Sequence, residues 1–99
     1  MQSIELVTFR LNPGTDRAAF LENARRTEAV VRRQPGFQSR LLTEGEDGAW
    51  SEIVTWASHA EAMAAAGILR AGPEFAPLGA MIAEPTVTMS YSALGWQMA

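Results

Sequence analysis

Four short runs of β-type residues alternate with stretches of helical periodicity along the chain. Residues 3–11 (SIELVTFRL) present an Ile4/Leu6/Thr8/Arg10 face and a Glu5/Val7/Phe9/Leu11 face, the period of two of a strand. Asn12-Pro13-Gly14 ends that run in a turn. Thr15 or Asp16 then caps a helix in which Phe20, Leu21, Ala24, Thr27 and Val31 recur at helical spacing. Arg25, Arg26, Arg32 and Arg33 lie mostly off that face, and the last two complement the negative helix end. Gln34-Pro35-Gly36 stops the helix, because the residue before proline is pushed out of helical geometry. Residues 37–44 form the second strand, and Gly45-Glu46-Asp47-Gly48 is a polar hairpin turn. The third strand follows, with Trp50, Ile53, Val54, Thr55 and Trp56 suited to a pleated, buried surface. Ser58 and Glu61 have capping-box spacing and open an Ala-rich second helix, which Gly72-Pro73 breaks after about Ala71. A short helical piece then presents Phe75, Leu78, Met81 and Ile82; Glu84-Pro85 ends it, and residues 87–93 (VTMSYSA) are the fourth strand.

The resulting order is β-α-β-β-α-β. It predicts a ferredoxin-like α+β fold, a four-stranded antiparallel sheet with the helices on one face, in a single domain spanning residues 1–99. Apolar side chains fall on both faces of the first strand, so the sheet face without helices is expected to be apolar as well. A bare apolar sheet would exceed the patch size that soluble monomers carry. A homodimer formed by sheet-to-sheet packing is therefore expected. With 47% of the residues apolar in so short a chain, a second copy is also the simplest cover for surplus apolar surface.

Composition narrows the chemistry. The net charge is −3 and the arginines are scattered, whereas phosphate-backbone binding needs concentrated positive charge, so no nucleic-acid partner is expected. An RNA recognition motif shares the topology, but the third strand here lacks the glycine and basic residues of that motif. No cysteine is present, which excludes disulfides, thiol nucleophiles and thiolate metal sites. All basic residues are arginine, so Schiff-base and phosphate-loop lysines are excluded too. One histidine cannot make a His-pair metal site, and no metal or cofactor is expected. Neither a leader pattern nor a membrane-length apolar run is visible, and a cytoplasmic location is the expectation.

Two candidate catalytic residues stand out. His59 is the only side chain that ordinarily titrates near neutrality, and its alternative reading is an exposed histidine at a helix start. Tyr91, the single tyrosine, could hydrogen-bond a phenolic substrate or simply be a buried ring with one partner. Ser58 is explained as a cap, and neither Asp16 nor Asp47 is placed to complete a triad. Candidate substrate-binding residues are Trp50 and Trp56, which six-residue spacing puts on one face, together with Met63 and Met81 as adaptable apolar lining. Arg40 either pairs across the hairpin with Glu52 or points inward unpaired, where it would hold a substrate carboxylate or phenolate; Arg10 raises the same question.

Pro35-Gly36-Phe37, the hairpin, and the run Trp50-x-x-Ile53-Val54-x-Trp56-x-Ser58-x-x-Glu61-Ala62 resemble the dimeric α+β barrel superfamily, nearest its antibiotic biosynthesis monooxygenase-like members. The resemblance covers almost the whole chain in element order. It implies a barrel made of two sheets and a pocket in each protomer between sheet and helices. Members include cofactor-free oxygenases of polycyclic phenolic substrates and haem-degrading enzymes. The haem-degrading pattern is not matched, since the first strand lacks asparagine and His59 lies at the helix start. Many monooxygenase-like members carry a further histidine where this chain has Ala64-Ala65-Ala66. The resemblance implies a cofactor-independent monooxygenase-like enzyme acting on a small aromatic molecule. The alternative is a dimeric accessory or stress-related protein that binds an apolar ligand without turning it over.

Overall fold

The computed structural model describes residues 1–99. Strand β1 (Ser3–Phe9) leads into α1 (Arg17–Arg26) and α2 (Glu28–Arg32), and the hairpin of β2 (Phe37–Glu44) and β3 (Trp50–Trp56) follows. Helix α3 (His59–Ala71) comes next, then a 3-10 turn (Pro73–Phe75), the short α4 (Ala76–Gly79), a second 3-10 turn (Glu84–Thr86) and β4 (Thr88–Ala93). The sheet order is β2-β3-β1-β4 with every neighbouring pair antiparallel, which is the ferredoxin-like α+β arrangement.

Local chemistry explains the boundaries. Asp16 caps α1 by accepting from the Ala19 N–H at 3.1 Å. The first helical segment is not one helix, because Thr27 divides it. The Thr27 hydroxyl donates back to the Ala24 carbonyl at 2.6 Å and accepts from Arg40, so this wholly buried residue serves as a polar joint. Ser58 caps α3 by accepting from the Glu61 N–H at 3.1 Å, while its hydroxyl donates to the Glu61 carboxylate at 3.0 Å. That carboxylate also closes the helix start against Gly36. Gly36 has a φ of +84°, and a Cβ there would lie 2.6 Å from Glu61 Cδ. Strand β1 ends at Phe9; beyond it, Leu11 makes only an isolated bridge to Ile82.

The core lies between sheet and helices and falls into two clusters. At one end Phe9, Phe20, Trp50 and Leu78 pack together, Phe20 standing edge-on to both Phe9 and Trp50. At the other end Val54 and Trp56 pack under Ala62 and Ala65, whose small side chains let α3 approach the sheet closely. Trp50 and Trp56 share the helix-facing side, as their spacing predicts, yet they belong to different clusters.

Cross-strand register assigns the two faces. Opposed pairs place Glu5, Val7 and Phe9 with Val54, Glu52 and Trp50 on the helix side. The bare face carries Ile4, Leu6, Leu41 and Ile53, with Leu41, Ile53 and Leu6 adjacent in one cross-strand row. Ser39, Thr43, Ser51, Thr55, Thr8 and the β4 residues Thr88, Ser90 and Ser92 surround them, and no acidic or basic side chain joins them. The apolar character expected of this face is thus present on β1, β2 and β3 and absent from β4. The charges of the strands point the other way, beneath the helices.

Candidate functional site

A cavity of about 400 Å³ opens between the two core clusters. Phe9 and Leu78 wall it from one cluster, Val54 and Trp56 from the other, with Leu69 and Phe75 reaching in from the helical layer. That size suits a small organic ligand, as does an apolar wall carrying a few polar groups. A second depression, along β2 between Arg25 and Arg32, is bounded by an exposed sheet edge and has a more polar lining. It shares Arg40 with the cavity, but most of its other lining is the polar outer surface of the first helical segment and of β2. The cavity is the candidate site.

Its polar groups come from three adjacent strands. Arg40 on β2 extends inward; its Nη2 donates to Glu52 Oε2 on β3 at 3.2 Å and its Nη1 to Thr27 Oγ1 at 2.8 Å. The guanidinium also lies over the Phe75 ring, 5.8 Å from its centroid. Both ends of this ion pair are largely buried, at 13% and 17% side-chain exposure, so it is not a surface pair that water screens away. Register places Arg40 opposite Val54 and Glu52 opposite Leu42, so the two charges meet diagonally. Arg40 therefore makes the cross-strand pair; although it points inward, it is not the unpaired guanidinium that would hold a substrate anion.

Glu5 on β1 is the third charge. Its Oε1 accepts from Trp56 Nε1 at 2.9 Å, and its Oε2 has no protein partner. Burial raises its pKa above the ordinary carboxyl value. The Trp56 N–H opposes that shift, the Glu52 carboxylate adds to it, and Arg40 opposes it less. Tyr91 lies directly across from Glu5 on β4. Burial raises its phenol pKa, the Glu5 charge raises it further, and Arg70 acts in the opposite sense.

No protein-family model matches the chain. No curated protein matches it either. Solved structures do match. SnoaB, a cofactor-independent oxygenase from Streptomyces nogalater, superimposes with a TM-score of 0.77 at 22% identity, covering 98% of this chain and 96% of SnoaB. ActVA-Orf6, a monooxygenase from Streptomyces coelicolor solved with the ligand nanaomycin D, gives 0.71 at 16% identity over 98% and 90%. A Bordetella bronchiseptica protein assigned to the antibiotic biosynthesis monooxygenases gives 0.78 at 15% identity over 96% and 98%. The fold is that of the antibiotic biosynthesis monooxygenase-like proteins. The likeness read from Pro35-Gly36-Phe37 and the Trp50–Ala62 stretch accordingly holds across the whole architecture.

Within this monooxygenase-like fold the sequence-predicted residues separate. Trp56 and Arg40 line the cavity. Trp50 is buried in the Phe9 cluster beside Phe20, and Met81 packs against that same cluster while its sulfur accepts from Asn23 Nδ2 at 3.4 Å. Met63 is on the outer side of α3 and exposed. His59 is exposed at the start of α3, its ring edge-on to Tyr91 with centroids 5.5 Å apart. Tyr91 packs against the Trp56 cluster, and its hydroxyl lies 3.4 Å from the Met89 sulfur. His59 and Tyr91 are neighbours but do not line the cavity. Arg10 pairs with Asp47 at 3.1 Å near the hairpin turn, away from it. Glu5 was not singled out by sequence reasoning, although its place two residues before Val7 on one strand face was the available signal.

No three His, Cys, Asp or Glu side chains are grouped to hold a metal ion, and no helix is long and apolar enough to cross a membrane.

Proposed function

We propose that this chain is a cofactor-independent, monooxygenase-like enzyme that takes a small aromatic molecule into the cavity between sheet and helices. The observation that carries this reading is the cavity itself. It divides the core, is walled by aromatic and aliphatic side chains, and contains a carboxyl whose charge water only partly screens. Such a site excludes water from a bound aromatic ring and presents a fixed base and a fixed ion pair to it. Oxygen would then react with the activated substrate. The oxygenase SnoaB and the ligand-bound ActVA-Orf6 share the fold and support the reading. A second reading, a binder without turnover, draws support from one feature: His59 and Tyr91, the two expected acid–base groups, lie outside the cavity lining.

A screen of aromatic metabolites by thermal shift, followed by oxygen uptake, separates the two. A ligand at a hundred times its Kd stabilises the protein by about 2.7 kcal/mol. Stabilisation accompanied by oxygen consumption and an oxidised product is expected. Stabilisation with neither would establish the binder.

We also propose that the chain works as a homodimer through its bare sheet face. Ile4, Leu6, Leu41 and Ile53 form a charge-free apolar patch there, bordered by small hydroxyl side chains that permit close sheet-to-sheet approach. Leu6 and Leu41 are 38% and 50% exposed in the single chain. Leu41→Asp removes an apolar contact and buries a charge in the same place, so the dimer should weaken by about 100-fold or more. Light scattering after gel filtration reads this directly, and a wild-type chain that is monomeric at micromolar concentration would rule the dimer out.

A further inference from the structure

We infer that the cavity opens at the β4 edge of the sheet and ends at the β2 edge on a wall made by Val31 and Arg40, and that Val31 sets how long a ligand it accepts. This rests on the proposed aromatic site and deepens it: the substrate is a ring carrying a slim apolar substituent that points toward β2. Val31 gives the first indication. It is 3% exposed, yet it is the one buried apolar residue that belongs to neither core cluster. Instead it lines both the cavity and the depression outside β2, and Arg40 is the only other residue that does so. These two side chains are the partition between the two spaces.

The lining takes residues from β4, β1, β3 and β2, the full width of the sheet. Strand spacing makes that width roughly 14 Å. The middle strands β1 and β3 each contribute three residues, whereas β2 contributes Arg40 alone, so the space narrows toward the partition. A ring fits the broad middle, and an unbranched chain fits the narrow end. The other end is open. Val87 and Met89 line it while remaining 40% and 46% exposed, and Met89 lies opposite Val7 on the helix side, away from the face proposed for the dimer. Arg70 is exposed, lines the cavity and acts on Tyr91 of β4, which places a cation at this mouth. The partition itself is rigid. Arg40 is held by Thr27 at 2.8 Å, by Glu52 at 3.2 Å and against the Phe75 ring. Val31 is β-branched, with one strongly preferred rotamer on its helix. Arg40 cannot be shortened without stranding Glu52, so Val31 is the part of the wall that a substitution can move.

The test uses 4-alkylbenzenesulfonates with unbranched chains from ethyl to octyl, measured by titration calorimetry on the full chain. The sulfonate stays in water at the mouth beside Arg70, which points the alkyl chain inward. Wild-type affinity should rise about fourfold per methylene, as burial of each CH₂ predicts, and fall once the chain meets the wall. Val31→Ala should move that optimum to a chain at least one carbon longer, because the depression beyond the wall offers room. Val31→Ile should move it at least one carbon shorter. A residue that served only the packing of the fold would lower every affinity together and leave the optimum in place. An unmoved optimum in either variant, with circular dichroism like that of the wild type, overturns the assignment to Val31. A wild-type affinity that climbs without an optimum through the octyl chain overturns the closed end, even if neither variant folds. If n-butylbenzene binds the wild type and no sulfonate does, the mouth at β4 is overturned and the aromatic site stands. If neither binds, the aromatic site itself is overturned.

Discussion

Replacing Arg40 with methionine lowers the unfolding free energy by about 3–5 kcal/mol, because it strands the Glu52 carboxylate in a site with little water. A domain of this size has roughly 5–15 kcal/mol in total, so Arg40→Met should leave a protein that melts near working temperature. Most of this loss comes from Glu52 left alone and not from the attraction of the pair, since desolvation offsets much of that attraction. The double variant Arg40→Met/Glu52→Leu should therefore be far more stable than the single one and close to wild type. Thr27 tolerates the change, because its hydroxyl still donates to the Ala24 carbonyl and loses only an accepted bond. Urea unfolding of the three proteins measures the effect. A single variant as stable as the double would mean that water reaches Glu52 freely.

The same ion pair shows how far the sequence could be read. Element order followed from periodicity and punctuation: Asp16 and Ser58 as caps, Pro35-Gly36 and Gly72-Pro73 as stops, and glycines in the hairpin. Those signals are local, so they survive without tertiary information. The division of the first helix at Thr27 is not local, since the hydroxyl that accepts from Arg40 depends on a strand thirteen residues further on. The facing of the strands is not local either. Charged residues in a strand ordinarily point to solvent, which would put Glu5, Arg40 and Glu52 on the bare face. They lie beneath the helices instead, and the surface left open carries Ile4, Leu6, Leu41 and Ile53.

The candidate site was legible in part for a related reason. Trp56 and Arg40 were identified by residue type and both line the cavity. Trp50 has the same credentials and the same strand face, but six residues of strand span about 20 Å, enough to reach the opposite end of a small sheet. Spacing gives the face, not the distance along it. His59 and Tyr91 were chosen for intrinsic chemistry, and the structure puts them side by side at the margin of the Trp56 cluster. Glu5 has an ordinary side chain whose properties arise from where it sits, with burial and a neighbouring carboxylate raising its pKa. Nothing in its residue type announces that.

Trp56 joins the core to the chemistry, and two substitutions separate its contributions. Trp56→Ala removes an almost fully buried ring that stands edge-on to Phe37, with centroids 5.8 Å apart, and should cost about 3–5 kcal/mol. Trp56→Phe keeps most of the apolar contact but withdraws the N–H from Glu5, leaving both carboxylate oxygens without partners. A hydrogen bond to a charged group contributes about 1.5–3 kcal/mol, and a loss at the lower end is expected here because Glu5 is only partly buried. The two losses differ in their pH dependence. In the wild type the Trp56 bond pulls the raised Glu5 pKa downward, so its removal moves the folded-state pKa further above the unfolded value. A carboxyl with a raised folded-state pKa makes the folded protein take up protons more readily than the unfolded one, so acidification stabilises the fold. The deficit of Trp56→Phe relative to wild type should accordingly be full at neutral pH. It should diminish as pH falls through the raised Glu5 range and be smallest near the ordinary carboxyl range. The packing term of Trp56→Ala persists through the same titration, because a missing ring has no proton to gain. Thermal melts of the three proteins across that range test both statements. Equal, pH-independent deficits would mean that Trp56 acts by volume alone and that Glu5 titrates as a solvated group.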